Sequence, residues 1–284
     1  MRRRWMMTAG GTTLGAALVL SGCNAEVENA AGGNAVKMSA TEALVKTSQQ
    51  TRKADAFKAA LTVTDAGDGG TLKGTGQFRL RPNLEFTAQL DEYSRGGQAM
   101  TGVTGRALFT GDTLYAKVPQ LARFVAGGKP WLEVNVNEIS QRTGFDVQSL
   151  LQQVRTIDPA EQTKMFTASK DVRRVGTETV DGVKTTRYAG TVTVQEALKQ
   201  LDPEARQNAR RHLPNDGKVA FDLWTGGDNL PRKLVAKSTG TEGGNGTVEV
   251  RYSDYGKPFT VNRPPSDQVG KLSLDGLFNA QPRN

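Results

Sequence analysis

Residues 219–238, VAFDLWTGGDNLPRKLVAKS, decide how the rest of the chain is read. Val219, Phe221 and Leu223 alternate with polar partners, the two-residue period of a strand with one wet face. Gly226 to Asn229 then supply residues that tolerate positive φ, so the chain reverses tightly, and a strand resumed after so short a turn is an antiparallel neighbour.

The same grammar recurs on both sides. Phe57, Ala59, Leu61 and Val63 alternate with mainly polar residues, as do Leu84, Phe86, Ala88 and Leu90, then Leu132, Val134 and Val136, and later Val248, Val250 and Tyr252. Between them fall Asp65 to Gly70, Gly111-Asp112, Asp181-Gly182 and Gly243 to Gly246 as turns.

Three stretches break the two-residue period. Ser39 with Glu42 forms a capping box ahead of a first helix. Val147, Leu150, Leu151 and Val154 recur at helical spacing, and Asp158-Pro159 opens a further short helix with Asp as cap and Pro in its first position. Glu196 to Leu213 carries an apolar stripe of Leu198, Leu201, Ala205 and Ala209, with Asp202-Pro203 as a kink or restart. The outline is helix, long meander, helices, two strands, helix, final meander. This predicts an α+β fold: a curved antiparallel β half-barrel with helices laid across its concave face.

The N-terminus has a different logic. Arg2, Arg3 and Arg4 precede an uncharged run from Trp5 to Leu20, the layout of a signal peptide. Gly10, Gly11, Thr12 and Thr13 interrupt that run, which falls short of the roughly 20 apolar residues a membrane span needs. Leu20-Ser21-Gly22-Cys23 resembles a bacterial lipobox, and Cys23 is the only cysteine in the chain, so the thiol has no disulfide partner and is assigned to lipidation. Removing residues 1–22 takes three arginines, so the formal charge falls from +8 to +5 over the remaining 262 residues. Residues 23–37 then form an acylated Cys and a flexible tether too poor in apolar groups to order, with a reach of roughly 20 Å. Residues 38–262 form the folded domain and 263–284 a C-terminal extension.

GDTLYAKV (111–118), KPWLEVNV (129–136), TVDGVKTTRYAGTV (179–192) and DLWTGGDNLPRKLVAKS (222–238) are similar to stretches of the LppX and LprG lipoproteins of actinobacteria, within the LolA-like group of periplasmic lipid and lipoprotein carriers. The resemblance implies a half-barrel whose concave side holds acyl chains of a lipid or glycolipid under a helical lid. It implies a lipoprotein held at the cell membrane, on the extracytoplasmic side, through acylated Cys23. It carries no catalytic or cofactor motif.

Thirteen residues are candidates for the wall of such a cavity: Phe57, Leu61, Phe78, Leu84, Phe86, Met100, Val103, Phe109, Leu114, Leu150, Val154, Phe221 and Leu223. Each reads equally well as ordinary core, because an apolar sheet face has the same sequence whether it packs on helices or on lipid. Leu121, Phe124 and Val125, beside Gly127-Gly128, are candidates for an apolar gate, with a short helix packed on the sheet end as the alternative. Arg206, Arg210 and Arg211 with His212 read either as contacts to anionic headgroups or as a solvated helix face.

Enzyme chemistry is not expected. His212 is the sole histidine, so a Ser-His triad would have to use it, yet it falls in the last turn of a predicted helix, where a capping role is ordinary; with the only cysteine assigned to lipidation and no second histidine, a metal site lacks ligands. No glycine-rich phosphate loop joins a strand to a helix, and nucleic acid is excluded as a partner for an exported chain. The remaining alternative to a lipid carrier is a noncatalytic envelope interaction or sensory domain with a solid core, whose protein partner the sequence does not identify.

Overall fold

The computed structural model describes residues 38–65, 69–100, 104–117, 127–138, 154, 157–210, 217–239 and 246–271. The lipobox Leu20-Ser21-Gly22, Cys23 and the gate candidates Leu121, Phe124 and Val125 lie outside the described residues.

The strands are β1 (Ala56–Asp65), β2 (Thr71–Arg79), β3 (Glu85–Arg95), β4 (Gln98–Ala99), β5 (Gly105–Thr110), β6 (Thr113–Lys117), β7 (Trp131–Asn135), β8 (Arg173–Val180), β9 (Val183–Thr193), β10 (Lys218–Gly226), β11 (Pro231–Thr239), β12 (Gly246–Ser253) and β13 (Val269–Lys271). They make one curved sheet in the order β13-β7-β6-β5-β3-β2-β1-β12-β11-β10-β9-β8, with β4 paired to β3. The chain therefore builds outward from β1 to one edge, crosses to β8, and returns along the sheet until β12 closes against β1. All pairings are antiparallel except β13 on β7. The segment beyond 262, expected as an extension, thus supplies the last strand at that edge.

Local signals explain the helices α1 (Ala40–Thr51), α2 (Pro159–Phe166), α3 (Val194–Lys199) and α4 (Pro203–Arg210). The capping box forms: Glu42 N–H donates to Ser39 Oγ at 3.2 Å, and Ser39 N–H to Glu42 Oε2 at 2.8 Å. Asp158 Oδ1 accepts from Ala160 N–H at 2.8 Å, with Pro159 in the first turn. Asp202-Pro203 is a restart, because α3 ends before it and α4 begins at Pro203.

One apolar cluster joins sheet and helices. Leu44 of α1, Phe166 of α2 and Ala197 of α3 pack with residues from β1, β2, β3, β5 and β9 to β12. The rings of Phe166 and Phe221 stack 4.3 Å apart. The chain leaving α2 is locked onto β9 by Asp171, whose carboxylate accepts from Ser169 Oγ at 2.8 Å, Thr191 N–H at 2.7 Å and Thr191 Oγ1 at 2.8 Å.

β8 ends the sheet as an exposed edge strand, and its register with β9 shifts between Arg174 and Gly176, leaving Val175 unpaired and 47% exposed. β2 was not anticipated as a strand. Its inward positions are Leu72, Gly74, Gly76 and Phe78, so glycine interrupts the apolar alternation. A Cβ at Gly76 would lie 2.5 Å from the Phe78 ring and 2.9 Å from the Thr87 carbonyl oxygen.

Gly76→Ala therefore forces backbone or ring to shift, and a loss of about 1–3 kcal/mol is expected from overpacking, read as a lower denaturant midpoint. Gly176→Ala, which meets nothing within 4 Å, serves as a control and changes stability by less than about 0.5 kcal/mol.

The Asp171 hydrogen bonds hold its carboxyl at about 2, below the ordinary 3.8. A depressed folded value contributes stability that is present above about 3.8 and lost as pH falls through about 2. Asp171→Asn is expected to lower the urea midpoint at pH 7 and to flatten its fall between pH 4 and pH 2.

Candidate functional site

Register turns the inward face of the sheet into rows. Val134, Leu114, Phe109, Phe86, Phe78 and Phe57 stand directly opposite one another across β7, β6, β5, β3, β2 and β1. Their rings touch in sequence: Phe57 to Phe78 at 5.5 Å, Phe78 to Phe86 at 6.0 Å and Phe86 to Phe109 at 5.7 Å. Cross-strand aromatic contacts of this kind stabilise a sheet beyond their area burial.

The next row inward is small. Ala116, Ala107, Ala88, Gly76 and Ala59 face one another in the same order. A large row beside a small row makes a step in the floor of the sheet. Beyond it, Leu90, Gly74, Leu61, Val250, Leu234 and Leu223 continue across β3, β2, β1, β12, β11 and β10.

Among the described residues the helices cover this face unevenly. α2 and α3 lie against β9, and α1 lies against α2. Leu223, Phe221 and Val250 are buried beneath that cover, whereas Leu61, Ala88, Ala107, Leu114 and Val134 remain half-buried on the β1–β7 side.

Polar bonds pin the helices at one end. Ser48 Oγ donates to the Ala160 carbonyl at 3.0 Å, and Arg52 pairs with Glu161 at 2.6 Å. Arg81 donates to the carbonyls of Arg52 at 2.8 Å and Ala54 at 3.0 Å, where α1 ends, and to Asp55 at 3.2 Å and Asp158 at 3.4 Å. Burial pushes the Asp158 carboxyl up, against the opposing pull of the Ala160 N–H and the Arg81 guanidinium. Tyr252 Oη donates to Gln162 Oε1 at 2.7 Å, and burial, with the nearby Asp158 charge, raises that phenol far above its usual value.

Along β8 to β12 the opposite face is polar. Trp224 is flanked by Arg187 and Lys233, each 5.1 Å from its ring, and its Nε1–H donates to Glu178 at 3.0 Å. Arg187 also pairs with Asp222, and Lys233 with Glu249. Charges matched in this way belong to a solvated outer surface, which leaves the inward face as the apolar site.

The sequence candidates distribute accordingly. Phe57, Phe78, Leu84, Phe86, Phe109, Phe221 and Leu223 are all buried members of one cluster, and Leu61, Leu114 and Val154 are half-buried against it. Met100 is not with them. It stands 48% exposed beyond the two-residue β4, after the Gly96-Gly97 turn has carried the chain off the end of β3. Val103 and Leu150 lie outside the described residues. Ala107, Ala116 and Val134 share the same face and were missed. Val134 already stood in an alternating run, and Ala107 precedes Phe109 by two, the spacing that puts both on one side of a strand.

Arg206 corrects one reading. Its guanidinium donates to the carbonyls of Leu198 at 3.0 Å, Lys199 at 3.2 Å and Leu201 at 2.9 Å, closing the C-terminal end of α3. It is occupied by backbone and does not face headgroups. Arg211 and His212 lie outside the described residues. Among the described residues no group of three or more His, Cys, Asp or Glu is placed to hold a metal ion.

Comparisons with known proteins give the family. The model of the LppX_LprAFG lipoprotein family matches residues 39–261. A curated relative, described as an uncharacterized 31.2 kDa protein in the rplA-rplJ intergenic region of Streptomyces griseus, is 27% identical over 246 residues, covering 82% of this chain and 79% of its own. Among solved structures, LprF from Mycobacterium bovis is similar with a TM-score of 0.49 at 17% identity, over 79% of this chain and 96% of that one. LppX from Mycobacterium tuberculosis gives 0.40 at 17% identity, over 78% and 98%.

Proposed function

The chain belongs to the LppX_LprAFG lipoprotein family, and from that premise we propose that it is a membrane-anchored carrier that binds the acyl chains of a lipid or glycolipid and carries or presents it in the cell envelope. The supporting observation is the half-buried apolar floor of Leu61, Ala88, Ala107, Leu114 and Val134, which among the described residues extends beyond the part of the sheet that α2 and α3 cover. In this reading the curved sheet is a half-barrel and the helices its cover. The row of small residues beside the aromatic row leaves depth for alkyl chains, which need apolar contact and no directed bonds.

Energetics define how such a carrier works. Taking two sixteen-carbon chains from water into protein would release about 24 kcal/mol at 0.8 kcal/mol per methylene, beyond the roughly 18–21 kcal/mol ceiling of noncovalent binding. Exchange from bilayer to protein moves the chains between two apolar media, so the net affinity is small and transfer is reversible. Acylation of Cys23 keeps the cavity within a tether's length of the donor membrane, because two or more chains anchor stably where one does not.

Native mass spectrometry of the purified full chain is expected to show copurified lipid. Ala107→Trp and Ala88→Trp fill the floor from the small row and are expected to abolish that lipid while the far-ultraviolet circular dichroism stays unchanged. A chain that is lipid-free and takes up no added lipid would overturn the carrier reading. Separately, Cys23→Ala is expected to move the protein from the membrane to the soluble fraction, and unchanged fractionation would refute the anchor.

A further inference from the structure

On the outer face of the sheet, at the edge made by β6, β7 and β13, lies a pocket of about 300 Å³, at the lower end of the size range of small-ligand sites. Tyr115 and Glu133 form its wall on the sheet, directly opposite each other in the register. They point away from Leu114 and Val134, so this pocket is separate from the acyl floor. Arg263, Ser266, Val269 and Lys271 close it from the segment that follows β12.

That segment is held in place at several points. Arg79 donates to the Phe259 carbonyl at 2.9 Å and lies 5.2 Å from its ring. Lys129 Nζ donates to the Asp267 carbonyl at 2.8 Å, and β13 pairs with β7 so that Lys271 stands opposite Glu133. Residues 263–271 lie beyond the 39–261 family match.

Its chemistry is specific. Arg263 and Lys271 are both exposed, and among the described residues neither closes an ion pair with a carboxylate. Glu133 lines the same pocket. Burial and that carboxylate push the Tyr115 phenol up, while Arg263 pulls it down, which sets all three groups within electrostatic reach of one another. Two unpaired cations attract an oxyanion, and the planar Arg fork suits a phosphate or carboxylate. A bare dianion would meet repulsion from Glu133. A ligand that adds hydroxyl groups gives the carboxylate further donors beside the Tyr115 phenol, with the Ser266 hydroxyl as another partner.

We propose that this pocket binds a polyol phosphate, with the phosphate between Arg263 and Lys271 and the hydroxyl groups on Glu133. The source is a free sugar or glycerol phosphate or a phospholipid headgroup; the chemistry is the same.

Isothermal titration of the full chain in detergent with glycerol 3-phosphate, glucose 6-phosphate, glycerol, glucose and inorganic phosphate tests it. Both polyol phosphates are expected to bind, and the uncharged polyols not at all. Arg263→Ala and Lys271→Ala should each weaken the polyol phosphates about tenfold or more, the worth of one charge-assisted hydrogen bond. Glu133→Gln should weaken the polyol phosphates yet tighten inorganic phosphate, an opposite pair of shifts that a misfolded variant would not give. No binding, or binding that all three variants leave unchanged, overturns the proposal. Displacement of glycerol 3-phosphate by soluble dihexanoyl phosphatidylglycerol assigns the source to a lipid headgroup, and failure to displace it assigns a free polyol phosphate. Because the probes carry no acyl chain or only short ones, and the pocket faces away from the floor, loss of the acyl-binding reading leaves this result unaffected.

Discussion

The close approach of aromatic rings to glycine-bearing backbone sets the geometry of this molecule. Phe78 lies across Gly76, where no Cβ exists to hold it off, and from that seat it meets Phe57 on one side and Phe86 on the other. Four rings in adjacent strands then share one line, which fixes the register of β1, β2, β3 and β5 together, since a one-residue slip would turn every ring to the outer face. Apolar burial and strand register are thus one constraint here. The helices come second, docking where Phe221 offers its ring to Phe166.

The polar groups divide the work differently on the two sides of the sheet. Beneath the helices they are few and directed: Arg81 gathers the end of α1, the carboxylate of Asp55 and the cap of α2 into one set of bonds. An arginine suits that position because a single planar fork serves several acceptors at once. Outside, around Trp224, charges alternate in sign on part-buried side chains and pair with one another, which keeps that face polar. The contrast identifies the inward side as the one with apolar surface to spare.

Much of this was legible from local rules. The hairpin around Gly226–Asn229, the Ser39–Glu42 box and the Asp158-Pro159 start all rest on interactions within a few residues, and each appears as read. β2 was hidden because the glycines that make room for Phe78 erase the alternation that marks a strand. β13 was hidden for another reason: three residues in a parallel pair depend on β7, more than 130 positions away, and no short window contains both. Arg206 shows the limit of reading charge alone, since a basic residue in a basic helix is the same letter whether it faces solvent or closes a neighbouring helix. The apolar floor was half legible. Its large residues announced themselves, but the alanines that give it depth carry no signal until register sets them side by side.

The irregularity in β8 has a consequence for how many such molecules can live together. An edge strand with evenly spaced free amides invites a neighbour to add on, and tethering to a bilayer would crowd these chains into two dimensions, where collisions between like edges are frequent. The extra residue at Val175 breaks the spacing, and Arg173 and Arg174 beside it make the approach of a second copy in the same sense repulsive. One extra valine and two arginines thus guard this edge of the sheet against pairing with its own kind.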